Sequence, residues 1–472
     1  MKIKTRFAPS PTGLLHLGSV RTALFNYLIA YKTSGTFLLR VEDTDVTRGH
    51  GRYIDALQED LRWLGLEWHE GVTVGGEHGP YMQSQREQIY RDYFTLLQQQ
   101  RVAYPCFCTQ NELELERKAQ LAASRPPRYS GRCYRLNEEE AAMRLVAGTP
   151  ATLRFHVKER QWVEFDDKVR GPQRFNTDDI GDFVIRRSNG TPAFFFSNAL
   201  DDALMGITLV VRGEDHLTNT PRQILILKAL NLQIPDYAHI ALVVGPRGTP
   251  LSKREGSRTI RDLRNSGFLA LALTNYLARL GHTYSSNALM DLSALAEGLE
   301  VSRLHRAPAR YDETQLKHWQ HEAVRSVAWD QLWQWMDKRV HALVPAKESR
   351  AFVETVRPNV TLPNEALEWA TTFFSDESFS LSGTAREAIA AAPRAYFDQF
   401  LDAYEGCAGD YTSFASKLKK KTGAKGAAAF RPARFALTNK EHGPELIRLL
   451  EIMPPERIRN RILNARAAVN NS

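Results

Sequence analysis

The sequence is poor in cysteine and has no long apolar run. Only four cysteines occur in 472 residues, Cys106, Cys108, Cys133 and Cys407, which excludes a disulfide-built scaffold and fits a reducing compartment. No apolar stretch reaches the roughly 18 to 20 residues that span a bilayer. The opening Met-Lys-Ile-Lys-Thr-Arg-Phe runs into a strand-like segment without the apolar core of a signal peptide. Together these absences predict a cytoplasmic protein with no membrane partner. Glycine (29) and proline (22) are neither abundant nor periodic, so collagen-like and low-complexity chains are excluded. With 43% hydrophobic and 25% charged residues the chain is globular, and a prior of about 150 residues per domain predicts roughly three domains.

Acidic residues are scarce mainly at one end. From residue 411 to 472 there are 13 Lys and Arg against 4 Asp and Glu, a net +9, whereas the whole chain carries +8. A basic C-terminal module predicts a polyanionic partner, most often nucleic acid; the alternative is a solvated charged face.

The opening reads as a β-α-β unit. Ile3 to Ala8 predicts a strand, Pro9-Ser10-Pro11-Thr12-Gly13 a loop, and the apolar spacing from Gly18 to Tyr31 a helix that Gly35 ends. Thr36 to Val41 then predicts a buried strand, parallel to the first across a right-handed crossover. Ligands of such sheets sit beyond the carboxyl ends of the strands, so Arg6 to Ser10 and Glu42 to Asp45 are expected to face one crevice. Further helices are expected at about 52–64 and 85–99. A Cys-bearing insert follows with its own strands at 151–157 and 162–165. Asp182 to Arg187, Asn189-Gly190 and Ala193 to Ser197 predict a hairpin. A strand at 207–211 and a helix at 222–230 restore the α/β rhythm. Beyond about residue 310 the pattern is helical, with Lys417 to Lys425 expected as a loop.

Several chemical demands meet between Arg6 and Ser19. A helix starts at the end of this segment, and its free N–H groups favour an anionic phosphate. His16 can donate to a phosphate oxygen, and Gly18 lets a nucleotide approach the backbone; a satisfied half-buried histidine is the plainer alternative. Three thiols within 28 residues, Cys106, Cys108 and Cys133, have zinc-like proximity, the alternative being buried free thiols. Cys407 stands apart in the helical region and is expected to be inert. Arg6 and Arg212 each lie at a strand end facing the crevice, and a structural salt bridge is the plain reading of the arginines.

The segment Arg6 to Ser19, with Leu15-His16-Leu17-Gly18, resembles the first signature motif of class I aminoacyl-tRNA synthetases as glutamyl-tRNA synthetases of bacterial type carry it. Pro250-Leu251-Ser252-Lys253-Arg254 resembles their second motif, with Pro250 where the family has a lysine. Leu39 to Asp45, Phe194 to Asp202, Val211 to His216, Thr422 to Gly426 and Arg431 to Thr438 resemble further blocks of that family, so the likeness covers essentially the whole chain.

The resemblance implies a Rossmann-like α/β catalytic domain with an α+β acceptor-binding insert, followed by an all-α anticodon-binding module. Its parts would be 1–100 and 191–235 (catalytic), 101–190 (insert), 236–322 (stem contact) and 323–472 (helical module). The activity implied is glutamate–tRNA ligation. The glutamate carboxylate attacks the α-phosphate of ATP, pyrophosphate leaves, and the terminal ribose 2′-OH of tRNA attacks the glutamyl-adenylate. Magnesium accompanies ATP. His16 and Lys253 would be catalytic, stabilising phosphate charge, with Pro9, Gly18, Ser19, Leu251, Ser252 and Arg254 also at ATP. Arg6, Ala8, Ser10, Glu42, Phe194, Asn198 and Arg212 would bind glutamate, Phe194 standing where many members carry tyrosine. Tyr129, four residues before Cys133, would be the fourth zinc ligand; Arg135, where many members have histidine, cannot ligate. The partners implied are L-glutamate, ATP and tRNA(Glu), with tRNA(Gln) for some members, and a monomer is expected. The alternatives are a catalytically inactive tRNA-binding paralogue and a queuosine-glutamylating relative, the latter lacking the anticodon module. A glutaminyl enzyme is disfavoured because its anticodon module is β-barrel and this tail lacks strand-and-turn patterning.

Overall fold

Lys4–Phe7 (β1) and Thr36–Leu39 (β2), each with three of four residues buried, pair in parallel from Lys4↔Thr36 to Phe7↔Leu39. A parallel pair needs a crossover, which Leu17–Lys32 (α1) supplies. The turn back into β2 demands glycine at position 35, where a Cβ would stand 1.9 Å from the Ile3 carbonyl oxygen. Gly51–Trp63 (α2) leads to Glu70–Gly71 (β3), which extends the sheet beside β2, and Glu87–Gln99 (α3) follows. The computed structural model describes residues 2–44, 51–125, 127–249, 251, 258–375, 379–407, 409–424 and 426–470.

The insert begins with Ala103–Cys106 (β4). Gln110–Ala122 (α4), started by a Thr109–Glu112 capping box, and Glu138–Val146 (α5), capped by Asn137, precede Thr152–Phe155 (β5). Trp162–Asp167 (β6), Gly171–Asn176 (β7), the single turn Thr177–Ile180 (α6) and Phe183–Arg186 (β8) complete this stretch. β4, β5 and β8 make an antiparallel sheet. The strand expected at 162–165 does not belong to it. β6 pairs with β7 and, in parallel, with Asp236–Ile240, because its polar-apolar alternation suits a sheet solvated on one face.

The expected hairpin at 182–197 is also corrected. Its two arms share a single isolated antiparallel bridge, Arg186 to Pro192, and Phe194–Leu204 (α7) is a helix. Its i,i+4 pair Phe196 and Leu200 buries in one core with Tyr90 and Phe94 of α3, the Phe94 and Phe196 rings stacking at 4.3 Å. Burial of a helical stripe outweighs the strand propensity of three phenylalanines. Leu209–Gly213 (β9), Thr220–Ala229 (α8) and Asp236–Ile240 (β10) then form the second parallel unit, with His239 directly opposite Arg212. The two parallel sheets meet where the Thr208 N–H donates to the Lys4 carbonyl at 3.0 Å.

The chain divides into two units, 1–263 with 273–315, and 264–272 with 316–472. The second is helical throughout its described residues. Its core is aromatic, with Phe352, Phe373, Phe397, Phe400 and Phe414 fully buried. The loop expected from Lys417 is instead the end of helix Tyr411–Thr422, whose Phe414 and Leu418 reach that core; Gly423, at φ +66°, closes it in the left-handed conformation. No helix among the described residues is long and apolar enough to cross a membrane.

Candidate active site

A cavity of about 650 Å³ opens beyond the carboxyl ends of β1, β2 and β9. It gathers Arg6, Ala8, Pro9 and Ser10 from the loop after β1, and His16, Gly18 and Ser19 from the start of α1. Glu42, Phe194 and Asn198 of α7, Arg212 of β9, and Leu251 complete the set. These are all the residues expected at ATP and glutamate that fall among the described residues. Ser252, Lys253 and Arg254 lie outside them, but the chain on either side is tied to the cavity wall. Leu251 lines it, Thr259 bridges His16, and the Ile260 N–H donates to the Leu15 carbonyl at 2.9 Å.

His16 is the exposed N-cap of α1, its imidazole Nδ1 3.3 Å from Ser19 Oγ. No acidic residue occupies the first turn of this 16-residue helix, so its N–H groups present an undiminished positive end. A Cβ on Gly18 would meet nothing nearer than His16 Nδ1 at 3.8 Å, so the protein's own packing leaves that backbone approachable.

The cavity floor is a buried network of charge. Asp202 accepts from Arg6 Nε at 3.0 Å and Arg40 Nη1 at 2.7 Å. Burial alone would raise its pKa, but the two guanidiniums hold it below the ordinary carboxylate range. Glu42 accepts from Arg40 Nη2 at 3.1 Å and Asn198 Nδ2 at 2.6 Å, and burial raises its pKa despite both. Arg212 differs. Its Nη2 donates to Thr220 Oγ1 at 2.9 Å and Gln223 Oε1 at 2.7 Å, its Nη1 to Asn198 Oδ1 at 3.4 Å, and its Nε to His239 Nε2 at 3.1 Å. Every one of these partners is neutral or an acceptor nitrogen. Among the described residues no carboxylate lies within ion-pair distance of Arg212, and burial pushes its pKa down to about 10. Asp202 and Glu42 act on it only from beyond ion-pair distance, so its charge is incompletely compensated.

In the insert, the Cys106, Cys108 and Cys133 sulfurs lie within 4.8 Å of one another. The Tyr129 hydroxyl stands 3.5 Å from Cys106 Sγ and 3.4 Å from Cys108 Sγ. Burial raises thiol pKa values, and Cys108 is pushed up to about 11. At Cys106 the hydrogen bonds from Tyr129 and Arg154 outweigh burial and bring the thiol down to about 7. Three sulfurs and a phenol converging on one point fit a zinc ion by donor chemistry. Arg135 points elsewhere, donating to the Ser130 carbonyl. Cys407 is buried in the helical unit.

Residues 2–318 match the family described as "tRNA synthetases class I (E and Q), catalytic domain", and 305–466 match an anticodon-binding domain family. The chain belongs to the class I tRNA synthetases of the glutamate and glutamine group. "Glutamate--tRNA ligase 2" of Nitrosococcus oceani is 55% identical over 462 residues, 98% of each chain. "Glutamate--tRNA ligase 1" of Coxiella burnetii is 50% identical over 98% of this chain and 99% of its own. Among solved structures, a glutamate tRNA ligase from Elizabethkingia meningosepticum, crystallised with its amino acid, superposes with a TM-score of 0.88 at 27% identity over 99% of both chains. The glutamate–tRNA synthetase of Elizabethkingia anophelis gives 0.87 at 27% identity, over 99% of this chain and all of its own.

Within this synthetase fold, several residues packed behind the cavity floor carry no mark of their role in the sequence. Arg40 and Asp202 lie inside the family-like blocks 39–45 and 194–202, but their pairing across 162 positions is invisible in one dimension. Thr220, Gln223, His239 and Asp167 lie in no motif. Thr220 and Gln223 reach Arg212 from α8, and the register of β9, β10 and β6 sets His239, with Asp167 behind it, beside Arg212.

Proposed function

We infer that this chain is a glutamate–tRNA ligase that joins L-glutamate to the 3′ end of tRNA(Glu) at the expense of ATP. The observation that carries this reading is the buried, anion-free Arg212 in the floor of the cavity. A γ-carboxylate supplies the missing charge, whereas the neutral amide of glutamine leaves the guanidinium uncompensated. Arg6 borders the same carboxylate, and Glu42, held ready by Arg40 and Asn198, takes the ammonium. Ala8, Ser10 and Phe194 complete the amino-acid pocket.

ATP enters with its magnesium, which neutralises phosphate charge. Its phosphates lie against the N-terminus of α1, between His16, Gly18 and Ser19, with Pro9 and Leu251 at the nucleotide. The α-carboxylate of glutamate attacks the α-phosphate, pyrophosphate leaves, and the 2′-OH of the terminal ribose then displaces AMP. No protein nucleophile is needed, so His16 and Lys253 act by stabilising charge that develops on phosphate, with Ser252 and Arg254 beside them.

ATP–pyrophosphate exchange with tRNA present tests the reading: glutamate is expected to support exchange and glutamine not. Equal exchange with both would overturn it. Further parts of the proposal have their own measurements. Charging of purified tRNA(Glu) and tRNA(Gln) tests whether the second tRNA is also a substrate. Metal analysis is expected to find about one zinc per chain on Cys106, Cys108, Cys133 and Tyr129, lost in Cys106→Ser. Sedimentation tests the monomer, and fractionation the cytoplasmic location.

A further inference from the structure

Arginine Nε can only donate a hydrogen bond, so the atom that receives it must carry a lone pair. For Arg212 that atom is His239 Nε2, at 3.1 Å, to which the Thr220 hydroxyl, at 3.0 Å, can also donate; Arg212 and His239 stand opposite one another on β9 and β10. His239 Nε2 is therefore unprotonated, and the ring's single proton sits on Nδ1, which donates to Asp167 Oδ2 at 2.6 Å. Asp167 is itself anchored, accepting from the backbone N–H groups of Val169 at 3.0 Å, Arg170 at 2.8 Å and His239 at 3.1 Å. Both side chains are 0% exposed, so neither meets solvent or substrate. Burial, opposed by Asp167 and assisted by the Arg212 charge, lowers the His239 pKa.

We propose that Asp167 and His239 are a positioning pair that locks one imidazole tautomer and, through it, aims the Arg212 guanidinium at the side-chain carboxylate of the amino-acid substrate. The proposal rests on the reading of Arg212 as the carboxylate's partner. A carboxylate placed directly against Arg212 would orient it equally well but would cancel the charge the substrate needs. Interposing a neutral ring lets Asp167 fix the geometry from one residue away while the cation stays available.

Three variants separate aim from mere packing. In His239→Gln the longer amide carries a carbonyl oxygen to the former place of Nε2. In His239→Asn the shorter amide reaches Asp167 but leaves Arg212 Nε without an acceptor. Asp167→Asn keeps the volume and the acceptor for the backbone amides. Its NH2 favours the other tautomer, which sets two N–H donors against each other, and it carries the test if His239→Asn does not fold.

The glutamate KM is expected to rise about tenfold or more in His239→Asn and Asp167→Asn, as for the loss of a hydrogen bond to a charged group. His239→Gln is expected to lie nearer wild type, and the ATP KM to stay constant throughout. Unchanged glutamate KM in a folded Asp167→Asn would overturn the proposal. So would equal losses in the Gln and Asn variants, or glutamate and ATP KM rising together with a falling Tm. Arg212→Leu, assayed alongside, distinguishes the two readings. If it leaves the glutamate KM unchanged, the carboxylate assignment falls and takes the pair with it. If it raises the KM while Asp167→Asn does not, only the positioning pair falls.

Discussion

The cavity floor and the helical unit treat positive charge in opposite ways. The tail of the helical unit carries the net +9, yet much of it is answered at home: Lys421 pairs with Asp402, Arg431 with Glu441, Lys440 with Glu368 and Arg466 with Asp398. Arg434 and Arg461 turn inward to the carbonyls of Pro444 and Leu437. The catalytic part belongs to a stretch whose net charge is close to zero, and it holds Arg212, buried with no anion. Net charge therefore does not locate the buried cation that lacks an ion-pair partner. What matters is whether each cation already has a partner, and how far from water it sits.

The largest effect is expected where a buried pair is broken. Asp202→Ala leaves Arg6 and Arg40 facing one another across a dry floor. Its stability is expected to fall by about 3 to 5 kcal/mol, read as a large drop in Tm. A small drop would mean that water already screens this network. Acid should act the same way. Asp202 titrates below its unfolded value, so its contribution is complete above the ordinary carboxylate pKa and disappears as pH falls through the lower folded value. A Tm that falls on acidification in wild type and less steeply in Asp202→Asn is the check.

Arg212→Leu should reverse the pattern. Removing a cation that has no anion is expected to lower Tm far less than Asp202→Ala does. Glutamate kcat/KM should nevertheless fall by about 2 to 5 kcal/mol of transition-state binding, a factor of roughly thirty or more. If Tm falls as far as in Asp202→Ala, Arg212 is part of the framework rather than a waiting site.

In the helical unit the cations without a carboxylate partner among the described residues sharpen the contrast. Lys419 and Lys420 are exposed near the end of helix 411–422, Lys419 lying over the Phe430 ring. Lys419→Glu with Lys420→Glu is expected to raise the tRNA KM several-fold and flatten its dependence on salt, leaving the ATP KM alone. Unaltered salt dependence would make these lysines mere solubilisers. Substitution is a cleaner test than deleting 411–472, because that deletion strips Phe414, Leu449, Ile458 and Ile462 from the core. The smallest effect belongs to the answered charges. Arg466→Ala breaks an exposed pair and should cost at most about 1 kcal/mol, with no change in charging kinetics.

Much of the site was legible because its elements are local. A Pro/Gly loop before an apolar-periodic helix marks the helix N-terminus at His16, and the strand ends bearing Arg6, Glu42 and Arg212 follow from the β-α-β rhythm. Local reading failed where burial overrode propensity. Three consecutive phenylalanines look like a strand, but Phe196 and Leu200 find a core at helical spacing. Lys417 to Thr422 look like a loop, yet Phe414 and Leu418 hold them in a helix.

By itself, then, the sequence determined the class of the fold, the order of its parts and the chemical types gathered at the cavity, since these depend on periodicity and on short motifs. Tertiary structure alone decided that Trp162–Asp167 joins the sheet of Arg212. It also decided that Asp202 neutralises Arg6 while Arg212 keeps its charge, and that His239 and Asp167 stand behind it. Charge compensation is a property of distances through space, and residues 72 or 196 positions apart acquire a distance only when the chain has folded.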